Sequence, residues 1–507
     1  MSTTTVLYEA LRNFADPLVW AAILGASVFG AIIGAIPGLT ATMAAALLVP
    51  FAFFLPPLPA IAAYAAMSAL AIGIGDLPTI LVRMPGTPAS AAYCDDGYFL
   101  AKQGKLATAA GIQILSDSLG GIGGALALIF LAPLLARVAR NFSSFEFFWF
   151  SVLGLSCAAI LSTGSLVKGC ISLFIGLLLG TIGIDIVLGY PRFTFGNPNL
   201  LNGINFIPAM CGLFGLSEVL RNVVVMFSQK AEVETISVSI KEIWKEGWRK
   251  IKQYWVGGIR GTIVGIIIGA LPGAGADIAA WVATALAKRF SKHPEKFGRG
   301  SEEALLDAGY ANNAALGGTW IPALVFGIPG DTITAILIGV FMFHGLRPGP
   351  HLFTEQRVLL TSLYIVFIIV NLLIVFPLEA SLYKIGSYLL RIPKSILMPM
   401  IVLMCIIGAY AINNNPFDIG IMLGMGILGF ILQKYDFPVA PMVLGIVVGP
   451  MTEMYFMQSY IKTRGALLPF ISRPASLAMA LFTLFMWLYP LLTYVAKKVK
   501  TKAHDLQ

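Results

Sequence analysis

The chain has 507 residues, of which 58% are hydrophobic and only 12% are charged. Soluble globular proteins carry roughly 25% charged residues, so this composition excludes an ordinary soluble domain. The net charge of +9 does not indicate nucleic-acid binding, because the basic residues lie mainly in short segments beside apolar stretches. The positive-inside rule predicts that such segments are cytoplasmic, and the clearest ones are residues 241–252, 288–299 and 497–502.

Apolar stretches recur along the whole chain. The N-terminal residues, MSTTTVLYEALRNF, lack the pattern of a cleaved signal peptide, and we expect them to precede the first membrane segment. A membrane helix needs about 20 apolar residues, and about a dozen such stretches can be placed. The sequence therefore predicts an all-α polytopic membrane protein. The number of full crossings stays open, because Gly and Pro interrupt many stretches and each interrupted one either spans the bilayer or forms a re-entrant hairpin.

Two parts of the chain resemble each other. GAIIGAIPGLTATMAAA, beginning at Gly30, matches GIIIGALPGAGADIAAW, beginning at Gly265, and DLPTILVRMPGTP matches WIPALVFGIPGDT in the same order. The spacing differs only by an insertion that the basic stretch KRFSKHPEKFG accounts for. The matches align four Pro-Gly pairs two by two: Pro37-Gly38 with Pro272-Gly273, and Pro85-Gly86 with Pro329-Gly330. Such self-similarity indicates an internal duplication.

The charges that flank the two copies differ. Basic residues lie on both sides of the first apolar pair in the second copy, but almost none flank that pair in the first copy. By the charge rule the copies then open to opposite sides, which predicts an inverted repeat of the kind found in secondary transporters. Two parallel copies with incidental loop charge are the alternative. The expected organisation is a first half at 1–228, a linker at 229–254 and a second half at 255–507.

The linker carries an amphipathic pattern. Ile and Trp recur at three- and four-residue spacings from Ile240 to Trp255, with Lys and Arg between them. This pattern predicts a helix that lies along the cytoplasmic membrane surface. A solvated connector is the alternative, but it leaves the tryptophans without a role.

The four Pro-Gly pairs predict breaks within apolar helices. Proline removes a backbone donor and clashes with the preceding turn, and glycine allows backbone conformations that other residues avoid. Broken backbone at bilayer depth persists only where protein or a watery cavity surrounds it. The helix that restarts after a break offers free N–H groups, which bind anions such as carboxylates. Carbonyl groups freed at a break can bind a small cation.

Polar side chains cluster around these breaks. The candidate substrate-binding residues are Pro37, Gly38, Thr40, Arg83, Pro85, Gly86, Thr87, Ser90, Pro272, Gly273, Asn312, Asn313, Pro329, Gly330 and Thr332. The candidate cation ligands are Asp277, Asp331 and Thr42. Asp76 also stands out as a residue with an expected function, because ionisable residues within membrane segments are costly and usually functional. The structural alternatives are plain kinks for the Pro-Gly pairs, a snorkelling interfacial arginine for Arg83, and helix–helix hydrogen bonding for the asparagine pair.

Several longer motifs resemble one known family. These are GAIPGLTATMAAALLVPF, MPGTPASAA, RFTFG, GLFGLSEVL, ANNAALGGTWIPALVFGIPGDT, INNNPFDIGIMLGMGILGF and APMVLGIVVGPMTE. In this order they resemble the large membrane subunit of tripartite tricarboxylate transporters, over residues 25–476. The resemblance implies a multi-pass protein of the bacterial inner membrane. It also implies two partners, a small membrane subunit of about four helices and a periplasmic solute-binding protein that delivers a carboxylate such as citrate.

The resemblance further implies a mechanism. Uptake is expected to be driven by a cation gradient, usually sodium, so sodium becomes the cation expected at Asp277, Asp331 and Thr42. An elevator-like movement would carry substrate at the Pro-Gly tips across a fixed scaffold. Asp331 departs from the family pattern, in which a small residue is expected after Pro-Gly. A carboxylate there repels an anionic substrate, so cation coordination is the better hypothesis for Asp331.

Three functions other than transport fit the sequence less well. A passive channel tends to show a ring of charges or a filter repeat, whereas the polar groups here gather at broken helices. A scaffold without a substrate site has no use for duplicated polar breaks. An enzyme is not expected, because the four histidines have no catalytic spacing to Cys, Ser or Glu, and no cofactor is expected. The sequence has no Walker-type phosphate loop, so ATP hydrolysis is not expected either.

Overall fold

A computed structural model describes residues 2–161, 165–185, 189–225, 238–389 and 394–488. The described part is almost entirely helical. The helices up to the middle of the chain are α1 (Thr3–Arg12), α2 (Pro17–Ala35), α3 (Ala41–Phe53), α4 (Pro57–Gly73), α5 (Asp76–Val82), α6 (Cys94–Lys102), α7 (Leu106–Ala139), α8 (Ser144–Leu161), α9 (Leu166–Gly180), α10 (Phe206–Met210) and α11 (Ser217–Val225). A short antiparallel ladder joins β1 (Gly183–Ile184) to β2 (Pro191–Arg192).

The later helices continue the same plan. They are α12 (Ile240–Gln253), α13 (Trp255–Gly269), α14 (Gly275–Phe290), α15 (Glu302–Phe326), α16 (Thr332–Phe343), α17 (Leu352–Glu355), α18 (Arg357–Ile369), α19 (Val375–Leu389), α20 (Lys394–Asn413), α21 (Pro416–Lys434), α22 (Val439–Lys462) and α23 (Pro474–Leu488). Two compact units result: unit 1 combines Met1–Arg140 with Asn205–Tyr435, and unit 2 combines Asn141–Ile204 with Asp436–Gln507.

Eight helical segments of the described residues are long and apolar enough to cross a membrane. Six shorter apolar helices accompany them, three of which (α3, α13 and α16) adjoin Pro-Gly pairs. A helix of about 15 residues reaches only part of the way across a bilayer of roughly 30 Å. The prediction of a multi-pass helical membrane protein is thus confirmed, and the expected dozen stretches divide into long spans and half-length helices.

Two helices form the core of unit 1. In α4 every residue from 59 to 73 is buried, and in α15 every residue from 304 to 326 is buried. A helix that is apolar all round is expected in a protein interior. Helix α2 packs on α4, and α13 packs on α15 together with α7 and α14. Several other helices of unit 1 pack against these two buried helices.

Glycines set the distance between the packed helices. A Cβ on Gly30 would lie 2.5 Å from the carbonyl oxygen of Met67, and one on Gly34 would lie 2.6 Å from that of Ala71. At the aligned positions of the other copy, a Cβ on Gly269 would lie 2.5 Å from the carbonyl oxygen of Ala315. Small residues that let backbones approach closely are a common device of membrane helix packing. The α2–α4 and α13–α15 pairs therefore use the same contact.

Helix α12 occupies the C-terminal part of the predicted linker. Its Gly247 lies against the backbone of Gly111 in α7, and Ile243 and Ile251 are buried. Trp244 stays half-exposed and packs edge-on to Phe376, with ring centroids 4.6 Å apart. The amphipathic helix is present as predicted. Residues 229–237 of the linker and the basic segment at 497–502 lie outside the described residues, and the location of α12 at a membrane surface stays a prediction.

Unit 2 is built on α8, α9 and α22. Gly176 of α9 lies against the backbone of Met442 in α22, and Gly445 of α22 lies against that of Leu173. The RFTFG motif also contacts α22. The Arg192 guanidinium donates to both carboxylate oxygens of Glu453, at 2.6 and 3.0 Å. Two parallel N–H···O bonds of this kind fix direction as well as distance, so the motif attaches the β1–β2 segment to α22.

The α13–α15 contact can be tested by Gly265→Ala. The new Cβ would lie 2.9 Å from Cα of Ala311, and backbone cannot rotate away from it. Overpacking of this kind costs about 1–3 kcal/mol, so we expect a lower thermal unfolding midpoint for the detergent-purified protein. Gly420→Ala is the matched control, since no atom lies within 4 Å of its Cβ position. An unchanged midpoint for Gly265→Ala would contradict the packing.

Candidate functional site

All four Pro-Gly pairs lie between helices of unit 1, as predicted. Residues 36–40 separate α2 from α3, residues 83–89 follow α5, residues 270–274 separate α13 from α14, and residues 327–331 separate α15 from α16. We call these segments tips 1 to 4 in chain order. Gly38 (φ +89°) and Gly273 (φ +79°) adopt left-handed backbone conformations, which a residue with a Cβ adopts only with strain.

Tips 2 and 4 share one reciprocal pair of hydrogen bonds. In tip 4 the Asp331 carboxylate accepts from the backbone N–H of Thr334 at 2.7 Å, and the Thr334 hydroxyl accepts from the N–H of Asp331 at 3.0 Å. In tip 2 Thr87 and Ser90 make the same reciprocal pair, with both bonds at 3.1 Å. In tip 4 the pair is a capping box at the start of α16, whereas in tip 2 it closes a turn. Asp331 is thus the aligned partner of Thr87.

The glycines of these two tips also lie against the facing backbone in the same way. A Cβ on Gly86 would lie 2.9 Å from the carbonyl carbon of Gly75, and one on Gly330 would lie 2.6 Å from Cα of Thr319. Each preceding helix ends in a left-handed residue, Arg83 (φ +56°) or Gly327 (φ +71°). The aligned sequences therefore adopt the same local backbone in both places.

Direct contacts bring tips 1, 3 and 4 together. The backbone N–H of Gly273 donates to the carbonyl oxygen of Gly330 at 2.8 Å, which joins tip 3 to tip 4. The hydroxyl groups of Thr42 and Thr332, each just after its tip, lie 2.8 Å apart. Residues far apart in sequence, from both aligned parts of the chain, thus meet at one place in unit 1.

Tip 2 reaches the same region through α14. The indole N–H of Trp281 donates to the carbonyl oxygen of Pro88 at 3.3 Å. One turn earlier on α14, Asp277 faces the backbone amide of Ala89 and interacts with the charge of Asp331. Asp277 is exposed, whereas Asp331 is half-buried and serves as the N-cap of α16. Two carboxylates therefore lie on the surface that the four tips form.

Tip 1 is fixed by a side chain from α11. Asn222 donates from its amide to the carbonyl oxygen of Gly38 at 3.1 Å, so that carbonyl group is already paired. Thr40 caps α3 by accepting from the N–H of Met43 at 3.2 Å. Pro37 is half-buried, while Pro272 and Pro329 are buried. The polar groups of tip 1 thus serve in part to hold the broken backbone.

Arg83, the first residue of tip 2, and the asparagine pair take no part in the contacts between tips. Arg83 is exposed and forms an ion pair with Asp95 at 2.7 Å. Asn312 and Asn313 are buried in α15, and Asn313 donates to Asp117 of α7 at 2.5 Å. This bond is the helix–helix contact that was the structural alternative for Asn313. Both side-chain polar atoms of Asn312 are buried without a hydrogen-bond partner.

Three polar residues that the sequence pattern did not single out lie beside Asp76. They are Gln113 and Asp117 of α7 and Glu379 of α19, each at most 1% exposed. The signal was present, since both carboxylates lie inside apolar stretches, where ionisable residues are rare and usually functional. No group of three or more His, Cys, Asp or Glu side chains among the described residues is arranged to hold a metal ion.

Comparison with known proteins gives one family. Residues 20–444 match the model of the tripartite tricarboxylate transporter TctA family. The chain is 35% identical, over 88% of its length and 88% of the other, to an Agrobacterium vitis protein described as uncharacterized, of 52.8 kDa, in the TAR-I ttuC' 3' region. A second uncharacterized A. vitis protein, in the TAR-II ttuC' 3' region, is 36% identical over 39% of this chain and 81% of its own. No solved structure matches.

The contact between tips 1 and 4 can be tested by cross-linking. In a Thr42→Cys, Thr332→Cys double variant the two sulfur atoms would replace hydroxyls 2.8 Å apart, close enough for a disulfide with a small adjustment. We expect mild oxidation to join them in most molecules, measured by peptide mapping with mass spectrometry. The two single variants control for pairing with native cysteines. If the thiols at positions 42 and 332 could both still be alkylated after oxidation, the contact would be contradicted.

Proposed function

Because the chain belongs to the tripartite tricarboxylate transporter TctA family, we propose that it is a cation-coupled secondary transporter for tricarboxylates or related organic carboxylates. Uptake would proceed across the bacterial inner membrane. The observation that carries the proposal is the meeting of four broken-helix tips, from both copies of the duplicated sequence, in unit 1. Secondary transporters bind substrate at such discontinuous helices.

Substrate recognition is assigned to the tips. Helices α3, α14 and α16 begin at tips 1, 3 and 4, and helix N-termini direct N–H groups and a positive dipole end toward an anion. The hydroxyl groups of Thr40 and Thr87 lie in tips 1 and 2, and those of Ser90 and Thr332 directly follow tips 2 and 4. A carboxylate with several oxygens can use more than one of these helix ends at once, which favours a di- or tricarboxylate over a neutral solute.

The coupling cation is assigned to the carboxylates beside the tips. Asp277 and Asp331 interact with each other, and neither forms an ion pair with a Lys, Arg or His among the described residues. Two like charges next to an anionic substrate repel each other and the substrate unless a cation lies between them. Sodium, held with the help of the Thr42 and Thr332 hydroxyls, would supply that charge.

The shared contacts of the two copies support the rest of the proposal. The reciprocal hydrogen-bond pairs of tips 2 and 4, and the glycine contacts of α2–α4 and α13–α15, recur at aligned positions. We therefore extend the proposal to two inverted repeats, whose tips move together in an elevator-like step. As in the tripartite systems for which the family is named, a small membrane subunit and a periplasmic binding protein would be the partners.

The transport proposal is tested by reconstitution. The chain and its small membrane partner would be placed in liposomes, and a binding protein loaded with radiolabelled citrate would be added outside. We expect accumulation with an inward sodium gradient and none when choline replaces sodium. A panel of other di- and tricarboxylates controls for the choice of substrate. Equilibration without accumulation would indicate a passive channel, and no uptake across the whole panel would overturn the transport proposal.

The role of Asp331 is tested by Asp331→Asn. An asparagine oxygen still caps a helix, so α16 is retained while the charge is lost. We expect the sodium concentration for half-maximal uptake to rise about tenfold, which corresponds to about 1.4 kcal/mol of binding free energy. Asp436→Asn, an exposed position with a left-handed backbone that asparagine tolerates, is the control. An unchanged sodium response would leave Asp331 with its capping role alone.

A further inference from the structure

A second group of acidic side chains lies inside unit 1, apart from Asp277 and Asp331. Asp76, at the start of α5, and Asp117 of α7 are 0% exposed, and Glu379 of α19 is 1% exposed. All three belong to candidate membrane spans. None of them forms an ion pair with any Lys, Arg or His in the described parts of the chain. Three uncompensated negative charges in a low-dielectric interior cost far more than folding can supply.

The hydrogen bonds distinguish the three carboxyl groups. Tyr93 donates its hydroxyl to Asp76 at 2.6 Å, and the Gln113 amide donates to the other oxygen of Asp76 and, at 3.0 Å, to Asp117. Asn313 donates to the same Asp117 oxygen at 2.5 Å. Asp76 thus has donors on both oxygens, as an ionised carboxylate requires. The second oxygen of Asp117 and both oxygens of Glu379 are buried without any partner.

One unpartnered oxygen of each of these two carboxyl groups lies beside Gly73. A Cβ on Gly73 would lie 3.2 Å from the free Asp117 oxygen, and it would lie closer still to a Glu379 oxygen. The missing donor between them is what a protonated carboxyl group supplies. Two carboxylates that share a site cannot both ionise. The titratable groups that interact with Glu379 and with the neighbouring Tyr383 are Asp76 and Asp117.

We infer that Asp76, Asp117 and Glu379 form a proton-binding site, with an exchangeable proton held between Glu379 and Asp117. Glu379 follows a π-helical turn at residues 370–374, a feature frequent at functional sites. The site is joined to tip 2 on both sides: Asp76 directly follows Gly75, which lies against Gly86, and Tyr93 follows the tip. In the proposed transporter, on which only this step rests, loss of the proton would act on tip 2 and couple a proton to transport.

The first test measures the proton without transport. Dicyclohexylcarbodiimide adds to a protonated carboxyl group in an apolar environment, and the stable adduct retains the whole reagent. We expect the reagent to label Glu379 in the detergent-purified chain increasingly as pH falls, with the same profile in sodium and in choline chloride. Mass spectrometry of the peptide that contains Glu379 gives the extent. Glu379→Gln removes this adduct, and Glu355→Gln, at an exposed position, controls for general labelling.

Two results would overturn the inference. Absence of labelling at every pH would show that Glu379 holds no proton, and labelling abolished by sodium at every pH would assign the site to sodium. A second experiment tests coupling: in liposomes, Glu379→Gln is expected to lose at least tenfold of the uptake driven by an inward pH gradient, whereas Glu355→Gln retains it. Unchanged pH-driven uptake would remove the coupling role. A failure of the transport proposal itself would leave the labelling result standing.

Discussion

Backbone groups that lose their helical partners must find others, because the interior of a bilayer offers no water to replace them. Every tip in unit 1 meets this constraint with a bond inside the tip, to another tip or to α11. Gly273 donates to Gly330, Asn222 donates to Gly38, the Thr87–Ser90 pair closes a turn, and the Asp331–Thr334 pair caps α16. The tips are therefore defined structures rather than loose loops, and each depends on its neighbours. Tips 3 and 4 are joined to each other directly, whereas tips 1 and 2 are held by α11 and by an internal pair of bonds.

Close backbone contact is what allows the breaks to meet. A side chain on Gly86 or Gly330 would fall within 3 Å of the facing backbone, and the same holds for the glycines that set α2 against α4 and α13 against α15. Small residues thus do two things in unit 1. They allow α2 to approach α4 and α13 to approach α15. At the tips they let other protein groups come close enough to hydrogen-bond the free backbone groups. The positions of the polar side chains follow from this packing.

Sequence reasoning reached the local features and missed the long-range ones. The Pro-Gly breaks, the helix at 240–253 and the matched copies follow from residue types and spacing, which act over a few neighbouring residues. The pairing of Arg83 with Asp95, or of Asn313 with Asp117, depends on how separate helices pack, and a single sequence does not contain that information. Asp117 and Glu379 could have been predicted as functional residues, since a lone carboxylate in an apolar stretch is a signal by itself. The Pro-Gly pairs indicate only the helix ends.

The distribution of charge in unit 1 is hard to reconcile with unassisted passage of an anion. Asp307 is neutralised by Arg260 at 2.5 Å. Asp277 and Asp331 near the tips, and Asp76, Asp117 and Glu379 beneath tip 2, have no such basic partner among the described residues. A substrate with two or three negative charges would add to this repulsion. Cations that bind with the substrate would remove this repulsion, and this is the electrostatic argument for the proposed coupling to a cation gradient.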